Sequence, residues 1–341
     1  MNVSKPFFTI GVTTHNRHEL LRQTLASIRE QTFADFEVLV GNDWQAEKLS
    51  ADQFDFRDAR FRFINHPRNL GEVENMNSLL RESRGRYFTW MGDDDFYAPD
   101  FFEAVHATLE KFHLPACVFT AYSVTNELTL PALMKRFSGQ CRLMSGREFL
   151  RKHLAGELMS IVTYGVFDAE RLRRLGGIES LVDAPIGIFC ETMLMIRAGF
   201  LKEVVYIEAP LIVYRAHPES WVRAAQDSSL FKEGGKNLIG RSLPLLSQPE
   251  LRDDFQDNLS SMMKMALSYF LLKAAMPFRL STPFQVVSFL HAMAGPVRSL
   301  RGTSLYFRAV ASYWRSLVEV FYEGITFVGA VLRAKMRSTG G

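Results

Sequence analysis

Cysteine is scarce in this chain: Cys117, Cys141 and Cys190 are the only three in 341 residues, and they are unevenly spaced. That excludes a disulfide framework and a cysteine-based metal knuckle, and it suits a reducing, cytoplasmic setting. Long apolar runs are missing too, because no window supplies the roughly 20 apolar residues a bilayer span needs. The stretch from Leu280 to Val297 carries no formal charge, yet Pro283, Gln285, His291 and Pro296 interrupt it. The opening Met1-Asn2-Val3-Ser4-Lys5-Pro6 has no apolar leader region, so no secretory signal is expected. There is no internal repeat or low-complexity segment. A net charge of +3 does not mark a nucleic-acid binder.

What remains is a globular composition, 47% apolar and 23% charged, long enough for one large domain or two ordinary ones. The charge is unevenly placed. Residues 258–341 hold ten Lys or Arg against Glu319 and Glu323, a net +8, so the preceding part is acidic. Because this basic part is also rich in Phe, Leu, Met and Val, it is expected to touch an anionic membrane surface peripherally. The plain alternative is a helical subdomain with solvated arginines.

Phe7 to Thr13, Phe36 to Val40, Phe61 to Ile64 and Tyr87 to Met91 read as buried strands. Between them, Glu19 to Gln31 and Val73 to Arg84 show helical spacing, the second stopped by Gly85. This alternation predicts βαβ units and a mostly parallel sheet flanked by helices. After Pro115 the pattern loosens, with a short helix over Glu191 to Gly199 and strands over 204–207 and 211–215. Residues 226–240 read as a polar loop. A boundary is expected at 242/243, dividing an α/β domain (1–242, halves 1–115 and 116–242) from a helical region (243–341). In that region helices are expected over 258–275, 283–294 and 305–333, the last with an apolar stripe from Leu317 to Leu332.

Ligands of open parallel sheets sit beyond the carboxyl ends of the strands. Thr13, Asp43 and the run Gly92-Asp93-Asp94-Asp95 all fall at such ends. Three consecutive carboxylates repel one another unless a cation sits on them, and hard oxygen ligands suit Mg²⁺ or Mn²⁺ with phosphates. Taken alone, the run equally fits a solvated acidic turn capping the helix that begins near Pro99.

These pieces together resemble a family 2 glycosyltransferase of the GT-A (Rossmann-like) fold, the kind that builds bacterial surface polysaccharides. The likeness runs from Pro6 to Ser220. It rests on Thr9-Ile10-Gly11-Val12-Thr13-Thr14-His15-Asn16-Arg17, Leu25 to Thr32, Phe36 to Asp43, Asn69-Leu70-Gly71, Asn77, Gly85, the acidic run and Pro210 to His217. The resemblance implies that Thr13 and Asp43 hold the base and ribose of a nucleotide-sugar donor, with Asn77, Asp93 and Asp94 also among the residues that bind it. UDP is the commonest donor nucleotide in such a family, and a glycan or lipid-linked hydroxyl is the acceptor. It also implies that Asp95 binds the divalent ion, Asp94 the ion or ribose, and that His217 reaches the ion or diphosphate. Asp93 stands where relatives carry a small residue, Gly92 where they carry the leading Asp, and Met76 where they often carry Arg.

An inverting transfer needs a general base, which the resemblance places at Glu191, with Cys190 where a Glu usually precedes it. A helix N-terminus would keep Glu191 ionised; Asp183 is the spare candidate. Trp90 reads as core, and Trp221 as a sugar-stacking candidate. Two other readings compete: a catalytically inactive sugar-nucleotide-binding scaffold and a nucleotidyltransferase. The second would want a glycine-rich phosphate loop where Thr13-Thr14-His15-Asn16 stands.

Overall fold

The computed structural model describes residues 5–54, 57–126, 137–217, 227–274 and 282–319. Contacts divide the chain into two compact units, Met1–Ala225 and Gln226–Gly341. The first is an α/β unit. Its elements are β1 (Phe8–Thr14), α1 (His18–Arg29), β2 (Phe36–Asn42), β3 (Phe61–Asn65), α2 (Glu72–Glu82), β4 (Tyr87–Gly92), β5 (Phe96–Tyr97) and α3 (Phe101–Lys111). Then follow β6 (Cys117–Thr125), β7 (Cys141–Met144), α4 (Gly146–Leu154), β8 (Val166–Asp168), α5 (Ala169–Arg174), α6 (Cys190–Ala198) and β9 (Val204–Arg215).

One nine-stranded sheet carries them in the order β3-β2-β1-β4-β8-β6-β9-β5, with β7 also on β9. Parallel pairing joins β3, β2, β1 and β4, and again β6 with β9. The short β8 runs antiparallel to both β4 and β6, and β5 and β7 run antiparallel to β9. The expected parallel α/β sheet therefore holds for the first half, and the second half is mixed.

Strands β1 and β2 are apolar along their length because helices cover both faces. On α1, Leu21, Leu25 and Ile28 recur at helical spacing and lie in one core cluster with Phe8, Ile10, Val12, Val38 and Val40. Each such side chain contributes roughly 1.5–3 kcal/mol relative to exposure. The two strands expected over 204–207 and 211–215 are one, β9, whose register with β6 shifts beside Thr120 and Ala121. Pro210 lies at that shift, where a residue without an N–H is tolerated. Trp90 is buried and donates its indole N–H to the Met76 carbonyl at 2.8 Å, in keeping with its reading as core.

The second unit is helical: Ser228–Leu246, Phe255–Ala274, Thr282–Arg298 and residues 306–319. Its first helix replaces the polar loop expected over 226–240 and runs through position 243, where the boundary was expected. Asp227 caps it, accepting from the Ser229 N–H at 2.8 Å, and Phe231, Leu238, Ile239 and Leu243 are buried. Gly234 and Gly235 disguised this helix; both are buried, and Gly235 packs close to Ala266 and Phe289. Among the described residues no helix is long and apolar enough to cross a membrane. Trp221 and the stripe beyond Glu319 lie outside the described residues.

Candidate active site

Strand β1 delivers Thr13 opposite Gly92 of β4, so the acidic run emerges beside Thr14. From there the three carboxylates have different surroundings. Asp93 is fully buried: its Oδ2 accepts from the Thr14 hydroxyl at 2.6 Å and from Arg17 Nε at 3.2 Å. Arg17 Nη2 also lies against Asp93 Oδ1, as an ion pair without hydrogen-bond geometry. Asp94 is the member open to solvent, with Oδ2 2.9 Å from both Arg17 Nη1 and His217 Nε2. Asp95 is fully buried and spends both oxygens inside the protein: Oδ1 accepts from the Arg215 N–H at 2.8 Å, and Oδ2 from the Tyr164 hydroxyl at 2.5 Å.

Burial is the main force raising the proton affinity of Asp93 and Asp95. Burial alone would lower the Arg17 pKa, but Asp93 and Asp94 outweigh it and hold the guanidinium charged. Burial, helped by the charges of Asp95 and Asp94, keeps the Tyr164 hydroxyl protonated and therefore a donor. Arg215, 1% exposed, sits 4.1 Å over the Phe96 ring and donates Nε to the Asp94 carbonyl. The cation that a triple carboxylate requires is thus supplied by the chain itself, through Arg17, with Arg215 behind it. Gly92 explains the missing leading Asp: a Cβ there would meet Asp94 Oδ1 at 2.7 Å and the Tyr164 hydroxyl at 2.8 Å.

Asp43 is buried at the end of β2 and accepts from the Leu70 and Gly71 N–H groups at 2.7 and 2.9 Å, so it shapes the Asn69-Leu70-Gly71 turn. Thr13 is half-buried at the adjoining strand end. His15, given no role by the sequence, lies 3.1 Å from the Asp43 carbonyl and meets the Trp44 ring edge-on. Asn77 has a structural task. Its amide donates to the Ile178 carbonyl at 2.7 Å and accepts from the Ile178 N–H at 3.0 Å, clamping α2 to the segment before α6. Asp183 lines a cleft of about 720 Å³ with Glu74, Asn77, Glu179 and Arg197, and no carboxylate of the acidic run lines it.

Glu191 occupies the first turn of α6, as expected, and accepts from the Thr163 hydroxyl at 2.5 Å. Its proton affinity is raised, chiefly by burial and also by the charge of Glu72, while the Thr163 bond opposes the rise. Burial thus acts against the ionised form that the helix N-terminus was expected to favour. Thr163 and Tyr164 are neighbours on one 3-10 turn, Val162–Tyr164, so one short support touches both Glu191 and Asp95. Before Glu191, Cys190 is a buried thiol whose pKa burial pushes well up.

Sequence reasoning gave no role to Arg17, Thr14, Tyr164, Thr163, Arg215 or Glu72. Arg17, Thr14 and Arg215 stand inside the motifs named above, so the charge demand of the acidic run could have singled out the two arginines. Nothing local marks Tyr164, whose partner is far away in the chain.

Acidic side chains gathered at the carboxyl ends of parallel strands, with a further carboxylate held on the same support, define an α/β group-transfer enzyme of GT-A type. Residues 9–167, just under half of the chain, match the sequence profile of Glycosyl transferase family 2, so this part of the chain is a family 2 glycosyltransferase domain. It is similar to EpsH of Bacillus subtilis, assigned as a glycosyltransferase, with 24% identity over 75% of this chain and 74% of that one. It is also 27% identical to the GalNAc(5)-diNAcBac-PP-undecaprenol beta-1,3-glucosyltransferase of Campylobacter jejuni over 49% of this chain, and spans about half (54%) of that relative's length. A crystal structure of S. aureus TarS 1–349 in complex with UDP-GlcNAc shares the fold, at TM-score 0.63 and 15% identity, over 93% of this chain and 92% of that one.

Proposed function

We propose that the protein moves a sugar from a nucleoside diphosphate donor, a UDP-sugar first, to a hydroxyl of a glycan or lipid-linked acceptor, inverting the anomeric centre. The observation that carries this reading is the Val162–Tyr164 turn, which ties the base candidate Glu191 and the acidic run to one support. Glu191 would take the acceptor hydroxyl's proton as that oxygen attacks, and its raised proton affinity suits a base working near neutral pH. Thr13 and Asp43, at the neighbouring strand ends, would meet the nucleoside. The TarS structure with UDP-GlcNAc and the undecaprenol-linked acceptor in the Campylobacter relative's name support the donor and acceptor classes.

For a divalent ion, Mg²⁺ or Mn²⁺, the donor set fits in a limited way. Asp94 and His217 converge and Asp94 is partly exposed, whereas Asp93 and Asp95 are buried on internal partners. Two protein ligands with the diphosphate completing the shell is a common Mg²⁺ arrangement. A bound ion would neutralise the departing diphosphate. Asp95 is thus a support for Asp94 and β9 rather than a first choice of ligand. The second unit would keep the enzyme at the cytoplasmic membrane face. Exposed Phe307, Trp314 and Val318 on its helix 306–319, beside the basic composition, support that placement.

Three measurements test the reading. Glu191→Gln should lower turnover of UDP-sugars by roughly 10²–10⁴ while donor binding persists; binding without turnover in both wild type and variant would leave only a sugar-nucleotide binder. Mn²⁺ should raise the melting temperature with UDP present, and Asp94→Asn should abolish the increment. Sedimentation with phosphatidylglycerol vesicles should carry the protein down; a wholly soluble protein would remove the membrane placement.

A further inference from the structure

We infer that Glu72 is a positioning residue for Glu191: from α2 it tethers the loop leading into α6 and sets a second carboxylate beside the base. This rests on the sugar-transfer reading above. Glu72 is the first residue of α2, and both its ends engage one short segment. Its N–H donates to the Pro185 carbonyl at 2.7 Å, and its Oε2 accepts from the Gly187 N–H at 2.8 Å. Gly71 makes the approach possible: its φ is +77°, and a Cβ there would come within 3.1 Å of Pro185 Cα. The tethered segment ends in Phe189, whose φ of 57° is left-handed and unusual for a residue with a side chain. A turn held in that conformation needs external support to aim the helix that follows. Glu72 supplies it two residues upstream.

The electrostatics run the same way. Glu72 Oε2 and the Cys190 thiol flank Gly187, where a Cβ would meet them at 3.4 and 2.7 Å, so the Glu72 carboxylate lies at the start of α6; its charge adds to burial in raising the proton affinity of Glu191, which the Thr163 hydroxyl opposes. Glu72 in turn senses burial, the Gly187 N–H, Arg17 and Asp94. The residues flanking the base on α6, Cys190 and Thr192, carry no negative charge; the one that adds to its proton affinity comes from another element. That charge makes Glu191 a stronger proton acceptor.

Two variants separate tether from charge. Glu72→Gln keeps an oxygen for the Gly187 N–H but removes the charge; Glu72→Ala removes both. With UDP-GlcNAc as probe donor, the acid limb of the kcat/KM profile should move to lower pH in Glu72→Gln, by on the order of 0.5 unit or more. Its kcat above that limb should stay near wild type. Glu72→Ala should lose roughly tenfold to a hundredfold in kcat with little change in donor KM. The carboxyl carbon of Glu191, titrated by NMR in the free protein, should move down in parallel in Glu72→Gln. That readout needs no turnover, so it survives a failure of the transferase reading. An identical Glu191 titration in wild type and Glu72→Gln would overturn the charge role, and wild-type kcat in Glu72→Ala would overturn the tether.

Discussion

Two groups of carboxylates in the α/β unit are held in opposite ways. Within the acidic run, Asp93 and Asp94 are paired with a cation, Arg17, which bridges them, and His217 also lies on Asp94; Asp95 behind them accepts from the Arg215 backbone N–H and the Tyr164 hydroxyl. Glu72 and Glu191 are met by neutral donors instead, a backbone N–H and a threonine hydroxyl. The difference teaches what each is for. The Arg17 pairing sets a fixed cation beside Asp93 and Asp94, where we propose that the diphosphate is met. Burial raises the proton affinity of Glu72 and Glu191, as it does that of Asp93 and Asp95, and in the proposed transfer Glu191 would use it as general base.

The comparison can be broken at several points. The largest effect is expected from Arg17→Met, which strands Asp93 buried and unpaired; urea unfolding should report a loss of roughly 3–5 kcal/mol. A smaller loss would mean that Thr14 and solvent already satisfy Asp93. Next comes Tyr164→Phe, which removes the donor to Asp95 Oδ2 and should cost about 1–3 kcal/mol with the fold retained. Thr163→Val sharpens the other half. The threonine hydroxyl favours the ionised carboxylate, so its removal should push the Glu191 proton affinity up and move the acid limb of kcat/KM to higher pH. That sign is opposite to the one expected for Glu72→Gln, and a shift in the same direction would contradict the electrostatic account. The smallest effect belongs to an exposed pair: Arg62→Gln, which breaks the contact with Glu82, should change stability by less than about 1 kcal/mol in the same unfolding experiment.

Much of the fold was legible because it is written in local periodicity. Strands β1 to β4, α1 and α2 fall where continuous apolar runs and helical spacing put them, within a residue or two. The first helix of the second unit was not, since paired glycines read as a break until partners such as Ala266 and Phe289 give them a reason. For the site, residue type at a strand end singled out Asp43 and the acidic run, and the family resemblance singled out Glu191. Their individual tasks were not legible. Asp93, Asp94 and Asp95 are chemically identical in sequence, and only burial and partners separate the exposed one from the two locked inside. Asn77, expected to contact the donor, also holds Ile178 with both ends of its amide, a partner about a hundred residues away that no local pattern marks.

The sequence by itself determined that this is an α/β chain with carboxylates at the ends of its first strands and a base candidate opening a later helix. Those features depend on side-chain pattern over a few residues, which a linear reading captures. Only the tertiary structure decided that Arg17 is the cluster's cation, that Thr163 and Tyr164 join the acidic run to Glu191, and that Glu72 stands beside the base. Each of these joins residues far apart in the chain, and each depends on desolvation, which is set by what packs around a group and not by its neighbours in sequence.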